Sequence, residues 1–414
     1  MSPGTHRQKS SPSLDSDSER PSNVPVGLAE PVELAEPALD AESATRERYS
    51  AAARIREAAL CCPVDYDPGL LAAIPREVIE RDYGCGDPSR HVQPGETVLD
   101  LGSGGGKICF IAAQRVGPTG RVLGVDMNDE MLALARSAAP TVAENIGFAN
   151  VEFRRGRIQD LALDVDRLES WLNDHPVKSF EDLGRLEEER ERLRRETPLI
   201  ASESIDLVVS NCVLNLVREA DKGQLIEEIF RVLKPGGRIA LSDIVSDEVV
   251  PEALKQDPEL WSGCISGAFQ ELDLLQRLES AGFYGIRIDE WAEEPFAVVD
   301  GIEFRSLTVT ARKGKEGPCL EGGHAVVYRG PWREVLDDDG HRLVRGVRTA
   351  VCAKTLRLLT DTPYATETVG IEPREPIPEA ERPTFDCART EPRHPRETKG
   401  ADYRATKPAG ESCC

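Results

Sequence analysis

VLDLGSGGGKICFIAAQRVGPTGRVLGVDMNDEMLALAR, residues 98–136, decides the fold. Val98 to Leu101 is a short apolar run that predicts a buried strand. It stops at Gly102-Ser103-Gly104-Gly105-Gly106, where glycine permits backbone conformations closed to other residues and lets a ligand approach the main chain. A helical pattern follows from Lys107 to Val116, and a second apolar run, Arg121 to Val125, ends on Asp126. This is a β-loop-α-β unit, with an acid at the end of its second strand to grip sugar hydroxyls.

The ligand is not read as a dinucleotide. Asp100 sits two residues before the first glycine, inside the end of the strand. A carboxylate there repels a pyrophosphate but can hold a cationic amino-acid moiety, directly or through water. The pattern resembles the class I S-adenosylmethionine methyltransferases. That resemblance implies a cofactor site built from Asp100, Gly102, Ser103, Gly104, Gly106, Asp126, Met127, Ile158 and Asn211. Asp126 is expected on both ribose hydroxyls, Ile158 beside the adenine and Asp160 on the adenine amino group.

Working outward, apolar runs at 98–101, 121–125, 151–154, 205–209 and 238–244 alternate with helical stretches. Such alternation implies an α/β fold whose parallel sheet is covered by helices on both faces. RVLKPGGRIALSDI, 231–244, reads as a helix, a Pro-Gly-Gly turn and the fifth strand. LDLLQRLESAGF is an amphipathic helix, and IRIDEW and SLTVTARK are the last two strands, the final one antiparallel. Upstream, 45–60 reads as a helix and LLAAIPREVIERDY, 70–83, as another with Pro75 near its start. SFEDLGRLEEERERLRRET within 162–200 is a charged surface helix with Glu and Arg at i, i+4 spacing and no assigned chemistry. The expected fold is a Rossmann-like class I methyltransferase sheet plus a small C-terminal α+β region.

The division expected is a disordered tail over 1–44, a cofactor-binding domain over 45–245, and the remainder of the core with the acceptor region over 246–313. A small β-rich domain follows over 314–370, with a hairpin around Asp339-Gly340, and then a mobile tail over 371–414.

Composition bounds the function. The chain has 414 residues, enough for two or three domains, and hydrophobic residues at 40% can build a core. A net charge of −22 argues against nucleic-acid phosphate or an anionic membrane as partner. Eleven cysteines, an odd and scattered set, fit a cytoplasmic protein with reduced thiols, and no signal or transmembrane pattern is expected.

Cys212 lies in SNCVLNL just past the fourth strand, where ligands of doubly wound sheets bind. Cys264 lies in WSGCISGAF among small residues, and Cys85 lies between two glycines in DYGCG. Cys109, Cys319, Cys352 and Cys387 have no local context that raises them above small buried hydrophobes. Three thiolates beside a methyl donor suggest a soft, thiophilic acceptor. Zinc prefers four ligands, commonly at CxxC spacing, and the chain has no such spacing. Trivalent arsenic is three-coordinate and keeps a nucleophilic lone pair.

At these residues the chain resembles the arsenite methyltransferases, with DYGCG, DLGSGGG, SNCVLNL and WSGCISGAF in the family's order and ALCC at 59–62 similar to its upstream cysteine segment. It departs where the family has paired tyrosines (Asp82-Tyr83 here) and at Gly105-Gly106-Lys107. The resemblance implies As(III) bound by Cys85, Cys212 and Cys264, redox exchange at Cys61 or Cys62, and successive methylation of arsenite and methylarsenite in arsenic detoxification. It also implies a thiol reductant, glutathione or thioredoxin, as co-substrate and partner. No general base is needed, because the arsenic nucleophile has no proton to lose. Cys413 and Cys414 are expected to capture metalloid on the tail. Two alternatives stay open: methylation of a small organic acceptor, and metalloid binding without catalysis.

Overall fold

In the computed structural model, residues 41–55, 57, 64–81, 83–388, 391–400 and 403 are described. The chain opens with helices α1 (Ala41–Ala52), α2 (Pro68–Leu71) and α3 (Arg76–Glu80). It then alternates through β1 (Thr97–Leu101), α4 (Lys107–Val116), β2 (Arg121–Asp126), α5 (Asp129–Ile146) and β3 (Val151–Arg155). Helices α6 (Val165–Asp174) and α7 (Phe180–Glu196) precede β4 (Ile205–Asn211), α8 (Lys222–Val232) and β5 (Leu233–Ser246). The core closes with α9 (Glu252–Lys255), α10 (Pro258–Ser262), β6 (Phe269–Gln270), α11 (Glu271–Ser280), β7 (Tyr284–Trp291), β8 (Ala297–Val299) and β9 (Ile302–Arg312).

Strands pair in the order β3-β2-β1-β4-β5-β9-β7. The first five run parallel, and β9 inserts antiparallel between β5 and β7. Side chains alternate across the sheet and sort into two cores. Leu99, Leu101, Leu123, Val125 and Val208 pack with Leu225, Ile226 and Ile229 of α8 and Leu274 and Leu278 of α11. Val98, Val122, Leu207, Val209 and Ala240 pack with Ile108, Phe110 and Ile111 of α4 and Leu132 and Ala135 of α5. Both faces of the central strands are thus buried, as a parallel sheet requires. This is the class I S-adenosylmethionine methyltransferase fold anticipated above.

Beyond residue 313, β10 (Ala325–Tyr328) pairs with β13 (Arg348–Ala350) and β14 (Thr368–Ile371). The hairpin of β11 (Glu334–Leu336) and β12 (Arg342–Val344) turns through Asp339-Gly340. Helix α12 (Ala353–Leu359) covers this sheet, and α13 (Pro395–Lys399) lies beyond it.

Several local expectations differ. The helix expected over 45–60 begins at Ala41, within the 1–44 stretch read as tail, and ends at Ala52. Glu42 is ion-paired to Arg157 at 3.1 Å, which holds this first turn. The helix over 70–83 is two short helices, because Pro75 cannot donate its missing N–H and instead stands at the N-cap of α3. Residues 371–388 and 391–400 are not a free tail. Leu320 bridges Thr384, Thr349 bridges Pro392, and buried Arg393 donates from Nη2 to both carboxylate oxygens of Glu321 at 2.8 Å. Cys61, Cys62, Cys413 and Cys414 lie outside the described residues.

Candidate active site

The carboxyl ends of β1, β2 and β4 open on a cavity of about 200 Å³. Gly102, Gly104, Gly105, Asp126, Met127, Ile158, Asn211 and Cys212 line it, with Tyr49 of α1 and Tyr83. Gly102 and Gly104 have φ of 66° and 50°, in the left-handed region where glycine carries no penalty. A Cβ on Gly102 would meet Val213 at 2.4 Å, so the turn also depends on close approach. Asp126 is fixed at the end of β2. Its Oδ2 accepts the Gly104 N–H and its Oδ1 the Asn128 N–H, both at 2.8 Å.

Asp100, Ser103 and Gly106 do not line the cavity. Asp100 is buried near the end of β1, where its Oδ2 accepts the Cys109 thiol proton at 3.2 Å. Cys109 therefore has a polar partner as well as a place in the core. Asp160 is also committed elsewhere: Arg194 of α7 pairs with it at 2.8 Å. The charged helix read as a surface excursion thereby anchors the loop after β3.

The cysteines gather at the β4 and β5 end. Cys85 and Cys212 are joined by a disulfide with Cα atoms 6.0 Å apart, which corrects the expectation of reduced thiols throughout. The Cys264 thiol donates to the Cys212 carbonyl at 3.1 Å. Cys212 and Cys264 have φ of 57° and 62°. The left-handed conformation costs a residue with a Cβ about 1–2 kcal/mol, so the surrounding hydrogen bonds must enforce it.

Those bonds are explicit. Asn211 Oδ1 accepts the N–H groups of Cys85 at 2.9 Å and Gly86 at 3.2 Å, and its Nδ2 donates to the Gly86 carbonyl at 2.9 Å. Glycines flank Cys85 because a Cβ at 84 would lie 2.2 Å from Asn211 Nδ2, and one at 86 would lie 2.6 Å from Ser242 Oγ. Asn215 Nδ2 donates to the carbonyls of Ile244 at 2.6 Å and Cys264 at 3.1 Å. Buried Lys222 donates to the Gly267 carbonyl at 2.9 Å. Three segments distant in sequence are thus pinned around one point.

Sequence reasoning missed Asn215, Lys222, Tyr49 and Asp243. Asn215 stands in the quoted SNCVLNL, where a polar residue amid an apolar run signalled a buried amide. Tyr49 Oη lies 3.8 Å from Cys264 Sγ, and burial raises its pKa well above the ordinary phenol value. Asp243, fully buried on β5, accepts the Leu214 and Ile244 N–H groups at 2.8 Å. Burial pushes its carboxyl up to about 7, while those N–H groups and the Lys222 charge hold it down.

Comparison with known proteins agrees with this geometry. Residues 93–282 match the family model described as a methyltransferase domain, and residues 315–403 match a domain of unknown function. The chain is 35% identical over 323 residues to an arsenite methyltransferase of Aquipseudomonas alcaligenes, covering 74% of this chain and 82% of that protein. It is 38% identical to the Halobacterium salinarum arsenite methyltransferase over 60% of this chain and 54% of that one. It also resembles, at TM-score 0.51 and 28% identity, the crystal structure of an arsenic(III) S-adenosylmethionine methyltransferase from Chlamydomonas reinhardtii. That match covers 78% of this chain and 100% of the other. Fold, glycine turn and these relatives together place the chain in the arsenite methyltransferase family of S-adenosylmethionine-dependent enzymes.

Proposed function

We propose that this enzyme methylates trivalent arsenic held by the thiolates of Cys85, Cys212 and Cys264. The observation that carries this is the convergence of the three cysteines: Cys212 lines the cavity, is joined to Cys85 and accepts the Cys264 thiol at its carbonyl, with Cys212 and Cys264 in enforced left-handed conformations. Residues paying conformational strain to face a cleft are typical of functional sites.

The cavity fits S-adenosylmethionine. Glycines admit the ligand against the backbone, Asp126 offers a carboxylate to sugar hydroxyls, and Met127 and Ile158 offer apolar walls to a base. Asp126 would hold the ribose, and Ile158 the adenine. Bound, the cofactor supplies a methyl group on a sulfonium that is already a good leaving group. Asp100, buried near the end of β1, stands behind the cavity wall rather than in it. Its thiol partner Cys109 keeps it oriented.

Arsenite binding begins from the reduced form. Opening the Cys85–Cys212 disulfide takes two electrons and two protons, which a cytoplasmic thiol reductant of the glutathione or thioredoxin type would supply. Cys61 or Cys62 is our candidate for relaying that exchange. The three thiols then replace the three hydroxyls of arsenite, each thiol proton leaving in a water. The protein's contribution is placement: Asn211 and Asn215 fix the loops so that the arsenic lone pair faces the cavity, and proximity and orientation supply the rate. Methyl transfer turns the lone pair into an As–C bond and leaves pentavalent arsenic, which two electrons from the same thiol reductant return to the trivalent state. Methylarsenite then exchanges its two remaining hydroxyls for two thiolates, releasing two waters, which fits a role in arsenic detoxification.

The test is product speciation by mass spectrometry after incubation of the full chain with arsenite, S-adenosylmethionine and thiol. Methylated arsenic is expected from the wild type and none from Cys212→Ser, with cofactor binding retained. Methylated arsenic formed by Cys212→Ser as fast as by the wild type overturns the ligand assignment.

A further inference from the structure

The cysteines without local sequence context, Cys319, Cys352 and Cys387, meet in space. Their sulfur atoms all lie within 4.8 Å of one another. Among the described residues this is the one group of His, Cys, Asp or Glu with potential ligand atoms so close, and no histidine or carboxylate joins it at that spacing. None of the three lines the methyl-donor cavity.

The fold builds this cluster deliberately. Cys319 follows the last core strand, and its carbonyl accepts the Phe385 N–H at 2.9 Å beside the Leu320–Thr384 bridge. That pairing delivers Cys387, two residues after Phe385. Cys352 is fully buried at the start of α12, where its sulfur accepts the Thr355 N–H at 3.3 Å. Cys319 and Cys387 are half-buried, so the cluster has one fixed sulfur and two that solvent can reach. Ala350 and Phe385 pack around it as an apolar wall, and the Thr355 hydroxyl lies 3.2 Å from the Cys352 sulfur.

We propose that Cys319, Cys352 and Cys387 form a second, non-methylating site that binds trivalent arsenic through three thiolates. The choice of ion rests on the reading of arsenite as this enzyme's substrate and on the donor set. Three sulfurs with no fourth His, Cys, Asp or Glu ligand among the described residues suit a three-coordinate ion with a lone pair, whereas structural zinc takes four. Sulfur–ion bonds of about 2.3 Å at pyramidal angles place three sulfurs roughly 3.3–3.5 Å apart, so sulfurs within 4.8 Å must close by about 1.5 Å at most. Turning the half-buried Cys319 and Cys387 side chains toward Cys352 provides it. Binding balances without redox change: three As–O bonds break, three As–S bonds form, and the three thiol protons leave with the hydroxyls as three waters. The domain carrying this site is the one matched by the family model of unknown function.

The test uses the full chain, reduced with a phosphine, loaded with arsenite and desalted. Arsenic per chain is read by mass spectrometry and its sulfur neighbours by X-ray absorption. In the Cys85→Ser/Cys212→Ser background, about one arsenic with three sulfur neighbours is expected. Adding Cys319→Ser and Cys387→Ser, which leaves Cys352 to cap α12, is expected to lower retained arsenic at least tenfold. Cys387→Ser alone, checked by thermal melting, is expected to give the same loss should the larger variant fold poorly. Unchanged arsenic on removing these thiols overturns the second site. So does zinc that copurifies at one per chain, disappears in the variant and resists arsenite. Failure of the methylation site reads differently: Cys85→Ser/Cys212→Ser would then lose no arsenic relative to the wild type.

Discussion

Asn211 and Cys85, 126 residues apart, are joined by a buried hydrogen bond of 2.9 Å from the cysteine N–H to the asparagine Oδ1. The same side chain holds Gly86 through both its N–H and its carbonyl. One amide at the end of β4 thus carries the loop that presents the first sulfur. Asn211→Ala leaves those buried groups unpaired, at a cost of about 1–3 kcal/mol. A lower melting temperature is expected, with arsenite affinity reduced more than S-adenosylmethionine affinity. Calorimetric titration of both ligands checks it. Equal losses would shift the role of Asn211 to the cofactor.

Gly267 secures the Cys264 loop from the other side. A Cβ there would stand 2.1 Å from the Asn215 carbonyl oxygen, a backbone atom that cannot turn away. Gly267→Ala must therefore displace the loop from Asn215 and from Lys222, costing roughly 1–3 kcal/mol as overpacking does. Arsenite binding is expected to weaken and cofactor binding to persist. An alanine variant that binds arsenite normally would show that the loop tolerates the shift.

Much of this architecture was legible in the sequence because it is local. The strands of 98–101 and 121–125 announce themselves by apolar runs closed by Gly102 and Asp126, and their observed bounds differ by one residue. The antiparallel strand ending at Arg312 was equally visible. What stayed hidden depends on contacts between distant segments. No local pattern shows that Asp160 is claimed by Arg194, 34 residues away, or that Asp100 turns toward Cys109. The cluster of Cys319, Cys352 and Cys387 was missed for the same reason. Each sits alone in its stretch, and only the Leu320–Thr384 pairing brings two of them together.

Asp126 tests the cofactor half of the site. Its two carboxylate oxygens already accept two backbone N–H groups, which fixes the carboxylate at the cavity wall. Removing a charged acceptor of ligand hydroxyls costs roughly 1.5–3 kcal/mol, or about ten- to a hundredfold in affinity. Asp126→Ala is expected to weaken S-adenosylmethionine binding by that factor, measured by calorimetry, and to leave arsenite stoichiometry unchanged. Undiminished cofactor affinity would remove Asp126 from the ribose.

Asp243 makes stability depend on pH in a predictable direction. Its carboxyl titrates near 7 in the fold and near 3.8 when free, because burial disfavours the charge more than the Leu214 and Ile244 N–H groups and Lys222 favour it. Between those values the folded chain holds a proton that the unfolded chain has released. The stability from this group is therefore fully present below pH 3.8 and is lost as pH rises through 7, at up to about 1.4 kcal/mol per pH unit. Asp243→Asn stays neutral throughout and keeps one oxygen for the N–H groups. Urea unfolding of wild type and variant from pH 4.5 to 8 isolates the term, since all other titrating groups are shared. The wild type is expected to lose stability relative to the variant as pH rises to 7, and no further above it. Parallel curves across that window would show that Asp243 is ionised in the fold, with Lys222 as its counter-charge.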